Sequence, residues 1–342
     1  MSQPTYASRE ALKAAANVNG VDEDAALDRV LQAASRAVER STRRRFYPSV
    51  ETRVYDYPAR DRGPYRLWLD GDLLEVESLT SAGVEIADYF LEPANYGPPY
   101  NRIEIDLAGG ESFQSGDTWQ RQVAVEGVWG YCDDEAAAGA LAEADDGSET
   151  ALDVTDSSLV GVGDLIHIGD ERLVVTEKAL LTTGTTIAAD LAADNAEVTV
   201  AVASGPAVKK GEIVTVDAER LLVVDVAGDN LVVKRAWDGS VLAAHTSGAT
   251  VYAPRTLTVV RGAAGTTAAT HSSGAAIARN VPPGLVTELV IAEAIAAREQ
   301  EKSGYGRNVG QGDGARELRG VGLADLRDRV DELFLRRRTG AV

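Results

Sequence analysis

The feature that most constrains this chain is a duplicated β motif between residues 150 and 280. Gly163-Asp164-Leu165-Ile166 through Glu171-Arg172-Leu173-Val174-Val175 recurs 48 residues on, as Gly211-Glu212-Ile213-Val214 through Glu219-Arg220-Leu221-Leu222-Val223. A second motif recurs 26 residues on. Leu231-Val232-Val233-Lys234-Arg235, with Gly239, His245 and Gly248, returns as Leu257-Thr258-Val259-Val260-Arg261, with Gly265, His271 and Gly274. Each unit reads as strand, turn, strand, with glycine where the chain reverses. Such self-similarity marks units that share one buried core. Residues 150–280 are therefore expected to form an all-β module of two related halves. With a core of its own, the module should be removable, leaving a folded remainder.

The flanks carry other periods. In 49–132, Arg66-Leu67-Trp68-Leu69, Asn101-Arg102-Ile103-Glu104-Ile105 and Gln122-Val123-Ala124-Val125 alternate as half-buried strands do. They predict a small antiparallel sheet whose core is filled by Trp68, Trp119 and Trp129. Residues 133–149 are acidic and alanine-rich, and read as a linker or short helix. Both chain ends read as helices. Thr5 to Asn17 is one, closed by Gly20. Asp22 caps a second that runs to Arg45, with Leu27, Val30, Leu31, Ala34 and Val38 on one stripe. Pro282 and Pro283 open a third, with Leu285, Leu289, Ala292 and Ile295 on its apolar face. A last helix carries Leu323, Leu326, Val330, Leu333 and Phe334. The expected fold is α+β: a helical core from residues 1–48 and 281–342 with a small antiparallel sheet, and the β module inserted between them.

Charge narrows the function. The chain has 53 acidic against 34 basic side chains, a net charge of −19, with the excess acid in the middle segments. A general nucleic-acid binder wants a basic face instead. No apolar run approaches the roughly 20 residues that span a bilayer. One cysteine, Cys132, and three histidines make a structural zinc site improbable. His245 and His271 hold equivalent repeat positions and could pair as metal or ligand groups. The plainer reading is a turn histidine, duplicated with its motif. His167 reads as an exposed strand residue. Glu171-Arg172 and Glu219-Arg220 read as ion pairs fixing strand edges rather than as acid–base groups. Gly306, Gly310, Gly312 and Gly314 follow a helix and lack the ending of a phosphate loop. No motif makes a case for catalysis, for a metal or for a cofactor.

The ends resemble a known family. Tyr6-Ala-Ser-Arg-Glu-Ala-Leu-Lys, the helix from Asp24 and Arg44-Arg45-Phe46-Tyr47-Pro48 look like the opening of the head–tail connector (adaptor) proteins of tailed phages, the group typified by phages HK97 and SPP1. Leu67-Trp68-Leu69-Asp70-Gly71-Asp72, Tyr89-Phe90-Leu91-Glu92-Pro93 and Val125-Glu126-Gly127-Val128-Trp129-Gly130-Tyr131 resemble the strand block of larger members. Val281-Pro282-Pro283 onward resembles the closing half. The block 133–280 departs from the family pattern and reads as an insertion.

The resemblance implies a virion neck protein, not an enzyme. It would form a dodecameric ring below the portal, extend the DNA channel without sequence-specific binding, and dock the next neck or tail protein. The family's C-terminal segment reaches toward the portal, which here implies Phe334, Arg336, Arg337 and Arg338. Read from the residues alone, Arg43, Arg44 and Arg45 could bind phosphate, serve as helix-end charges or sit at a subunit interface, and Asp70, Asp72 and Glu75 are expected along the channel. A stopper in the same neck, or a tail or surface binding module working through the β repeats, are the alternative functions.

Overall fold

The computed structural model describes residues 3–58, 64–304, 308–309, 316–317 and 321–336. Its architecture corrects the first expectation. The chain is mostly β, built on a six-stranded and a ten-stranded antiparallel sheet with four helices among the described residues. It is not a helical core with a small sheet attached. The helices are one layer laid against sheets that each have a core of their own.

Helix α1 (Arg9–Ala16) is capped by Ser8, whose hydroxyl accepts the amide of Ala11, and α2 (Asp24–Thr42) buries the predicted stripe Leu27, Val30, Leu31, Ala34 and Val38. Strands β1 (Ser49–Tyr55), β2 (Arg66–Ser81), β3 (Val84–Glu85), β4 (Tyr89–Glu92), β5 (Tyr100–Ile105) and β6 (Val123–Trp129) make the first sheet, in the order β1-β6-β2-β5-β4 with β3 on β2. Its core holds Leu67, Leu69, Leu73, Ile103, Val123 and Val125. Of the three tryptophans expected there, only Trp129 is buried, donating its indole N–H to the Glu51 carbonyl at 3.0 Å. Trp68 and Trp119 are 40% and 51% exposed. Trp68 lies on the outer face, where Arg102 stacks on it.

The second sheet comprises β7 (Glu135–Ala140), β8 (Ala151–Asp153), β9 (Leu165–Ile168), β10 (Glu171–Thr186), β11 (Thr199–Ala201), β12 (Ile213–Val216), β13 (Glu219–Ala227), β14 (Asn230–Lys234), β15 (Thr250–Val260) and β16 (Ala276–Asn280). The segment expected as linker or short helix therefore supplies an edge strand. Its alanines pair with Ala276–Asn280, and Ala138 reaches the core. That pairing sets Glu135 opposite Asn280, so the chain enters and leaves the module side by side.

Two cores run through this sheet, and they are nested. The outer half uses Leu141, Leu152, Val154, Ile166, Leu173, Leu257, Val259 and Ile277. The inner half uses Ile187, Val200, Val214, Leu221, Leu231, Val233 and Val251. The long strands β10 and β15 pair with one another across bulges and pass from one half into the other. The inner half is thus inserted inside the outer, between Thr186 and Thr250.

Helices α3 (Gly284–Lys302) and α4 (Val321–Phe334) complete the helical layer. The apolar side of α3 is rotated from the predicted one. Val286, Leu289, Val290 and Ala294 are buried, because the helix packs against α1, α2 and α4. On α4, Val330 and Phe334 are buried while Leu333 is 61% exposed. The layer shares its core with Leu165, Val174 and Ala263 of the module. The N-terminal segment is also bonded to the module, with Thr5 N–H to Gly163 O at 2.9 Å and Arg9 N–H to Val162 O at 3.0 Å. The module is consequently not a removable passenger. Removing it would strip one wall from the helical core.

Candidate functional site: an arginine-lined junction

The described residues bring three separate sets of predicted residues to one place. Helix α2 ends at Thr42, whose hydroxyl bonds back to Val38 O at 2.7 Å. Arg43 follows with φ at +57°, in the left-handed region. The chain then turns inward. Phe46 is fully buried, its ring centroid 5.5 Å from those of Tyr6, Tyr131 and Phe334. This aromatic knot ties both ends of the chain to the end of β6. It also explains Phe334. That residue was expected on a docking surface, but its ring is a core residue.

Arginines ring the knot. Arg44 stacks over Tyr131 at 4.8 Å and donates to Phe334 O at 2.6 Å and to Asp72 Oδ1 at 2.8 Å. Arg45 pairs with Glu51 and lies over Tyr47. Arg53 lies 4.1 Å over Trp129 and pairs with Glu51 and Asp70. Arg336 donates its amide to Thr42 O and its Nη2 to Leu69 O at 2.8 Å. A bulge in β2 between Trp68 and Leu73 lifts Asp70-Gly71-Asp72 out of the ladder with β5 and into this junction. Together Arg43, Arg44, Arg45, Arg53, Asp70, Asp72, Trp129 and Arg336 line a cavity of about 280 Å³.

The electrostatics follow from burial. Desolvation raises the Asp72 carboxyl despite Arg44 and Arg336 beside it. Burial likewise lowers Arg336, although Asp72 opposes the shift. Burial would raise Glu51, but hydrogen bonds from Arg45 and Arg53 outweigh it and hold that carboxyl below its ordinary value. One arginine atom stays unmatched. Arg336 Nη1 is buried with no hydrogen-bond partner, 3.5 Å from Asp72 Oδ1.

The remaining expected residues fall elsewhere. Asp70 is largely exposed, but the Asp72 side chain is only 8% exposed and is not a free lining group. Its partners Arg44 and Arg336 could not be read from local sequence. Glu75 is exposed on β2, outside the cavity. Arg337 and Arg338 lie outside the described residues, as do Gly306, Gly310, Gly312 and Gly314.

The histidines are not turn residues bonded to backbone. His245 is buried between Asp217 and Glu219, at 2.7 and 2.9 Å, and His271 meets Glu171 at 3.0 Å. Glu219 pairs with Arg235, and Glu171 with Arg261, rather than with the arginines next to them in sequence. Each carboxylate also accepts two backbone amides: Ala236 and Ala243 for Glu219, Gly262 and Ala269 for Glu171. These are two copies of one structural clasp, one per half. Among the described residues no group of His, Cys, Asp or Glu is placed to hold a metal ion. His167 is half-buried and faces Glu135 at 3.1 Å. Burial, with Asp134 and Asp133 nearby, pushes the Cys132 thiol up to about 12, which disfavours the thiolate.

No protein-family model, curated protein or solved structure matches this chain.

Proposed function

We propose that this protein is a structural subunit of a tailed-phage neck, a head–tail connector that assembles as a ring below the portal and presents a surface to the next neck or tail protein. The observation that carries the reading is the convergence of both chain ends on the arginine-lined junction. Arg336 is anchored in its wall, beside a bulged, acidic strand. That suits a subunit whose tail reaches a neighbouring ring. A closed ring needs a heterologous interface, in which unlike faces of each copy meet. A net charge of −19 per copy suits a channel past which DNA moves without being held.

The test is location. A gold-labelled antibody against residues 150–280, imaged on negatively stained purified virions, should mark the neck between head and tail. Label along the tail or at its tip would overturn the connector reading in favour of a binding module working through the β repeats.

A further inference from the structure

The junction has more positive charge than its own carboxylates use. Arg43, Arg44, Arg45, Arg53 and Arg336 line it, and Arg36 is bonded to its rim residue Glu39. Against these six arginines stand four carboxylates: Glu39, Glu51, Asp70 and Asp72. Two of the six show where the excess lies. Arg336 Nη1 is buried without a hydrogen-bond acceptor, its nearest carboxylate oxygen, Asp72 Oδ1, standing 3.5 Å away. Arg43 is exposed, has no hydrogen-bond or ion-pair partner among the described residues, and holds φ at +57°. Glycine or asparagine would end α2 there at less cost. Favourable interaction with the helix dipole accounts for a cation near this end, but not for an arginine at the one position that penalises its Cβ.

We infer that this pocket receives carboxylates from a second copy of the chain, and that they are Glu75 and Glu77 of the exposed face of β2. The inference rests on the ring reading above and names its contact. In a protein of net charge −19 the pocket is an island of opposite sign. Glu75 and Glu77 are exposed, lie two residues apart on one strand, and have no basic partner among the described residues. Two carboxylates close together on one strand, Glu77 in a bulge between Val76 and Ser78, offer acceptors to the planar fork of a guanidinium, which binds carboxylates bidentately. The same surface contributes donor and acceptor at different places, as a head-to-tail contact requires. A nucleic acid fits less well. Asp70 stands exposed at the mouth, and one pocket gives no track of successive phosphate contacts.

Charge reversal tests the pairing on the full-length chain by sedimentation velocity and mass photometry at low salt. Arg43→Glu should weaken self-association at least about tenfold, as should the double change Glu75→Lys with Glu77→Lys. Mixing the two variants should restore it, because each then supplies the partner the other lacks. Both positions are exposed, so circular dichroism and thermal unfolding should match the wild type and exclude misfolding as the cause. Variants that associate like the wild type, failure of the mixture to recover, or a wild type that stays monomeric at every concentration would each overturn the contact. Loss of duplex DNA retention by Arg43→Glu, with association intact, would replace it with a phosphate site. Neck labelling with intact association in Arg43→Glu would sink the contact and leave the connector reading standing.

Discussion

Two glutamates, Glu171 and Glu219, do for the β module what a disulfide does for other small β folds. Each is fully buried and collects a guanidinium, an imidazole and two amides. Burial alone would raise these carboxyls. Hydrogen bonds from Arg261 to Glu171, and from Arg235 to Glu219, together with the amides, reverse that and bring both to about 2. A folded-state value below the ordinary 4.5 means stability fully present above about pH 4.5, lost as pH falls toward 2. Denaturant unfolding followed from pH 7 to pH 2.5 should show that loss, and Glu219→Gln should flatten it. At neutral pH, Glu219→Ala should cost about 3–5 kcal/mol, because it strands Arg235 without its counter-charge. A cost under about 1 kcal/mol would mean that water serves Arg235 as well. The repeat announced that these residues mattered, but not with whom they pair. Adjacent Arg172 and Arg220 were the obvious partners in sequence, yet alternation along a strand points them to the opposite face.

The elements were legible where a single period dominates. The α2 stripe, the first-sheet strands β2, β5 and β6 and the paired strands of the module follow from spacing. Reading failed where tertiary packing overrides local preference. Residues 135–140 have helix-forming alanines, but an open sheet edge beside Ala276–Asn280 recruits them as a strand. The rotated face of α3 follows from having three helical neighbours, α1, α2 and α4, instead of one. The turn after β15 shows an element fixed by contact. Gly265 has φ of +80°, and a Cβ there would lie 2.0 Å from the Val50 carbonyl oxygen of β1. Its repeat counterpart, Gly239, sits beside Asn19 and Gly20 of the α1–α2 turn, where Gly20 N–H bonds to Asp238. The same turn is thus used twice, as a foot on two different supports. Gly265→Ala should lift the foot from β1 and speed hydrogen exchange of the β1 amides, with little change in those of β12 and β13. Uniform protection throughout would show that the contact is dispensable.

At the scale of the whole molecule, nesting explains the two repeat spacings. The glutamate motif appears first in the outer half and then in the inner. The arginine–histidine motif appears first in the inner half and then in the outer. Unequal spacings of 48 and 26 residues were therefore the sequence trace of one half inside another. The junction was less legible, because its members come from positions 43–45, 70–72 and 336, which only the folded chain brings together. If the nesting is the organising feature, the inner half should come away cleanly. Replacing residues 188–248 with a short Gly/Ser turn joins Thr186 and Thr250, already neighbours in the ladder. With the newly uncovered Ile187 and Val251 changed to threonine, and Arg255, whose buried partner Glu212 is removed, changed to glutamine, the remainder should still unfold in one cooperative calorimetric transition. A non-cooperative melt would show that the halves fold only as one.

Nesting also sets an order of assembly. The inner clasp joins Glu219 to Arg235 across 16 residues, while the outer joins Glu171 to Arg261 across 90. Closing the longer loop costs about 1.5 kcal/mol more entropy when the chain between is unstructured. Once the inner half has closed, most of that chain is already compact, and the outer ends are brought near each other with little left to search. The molecule is therefore built to close its inner clasp before its outer one.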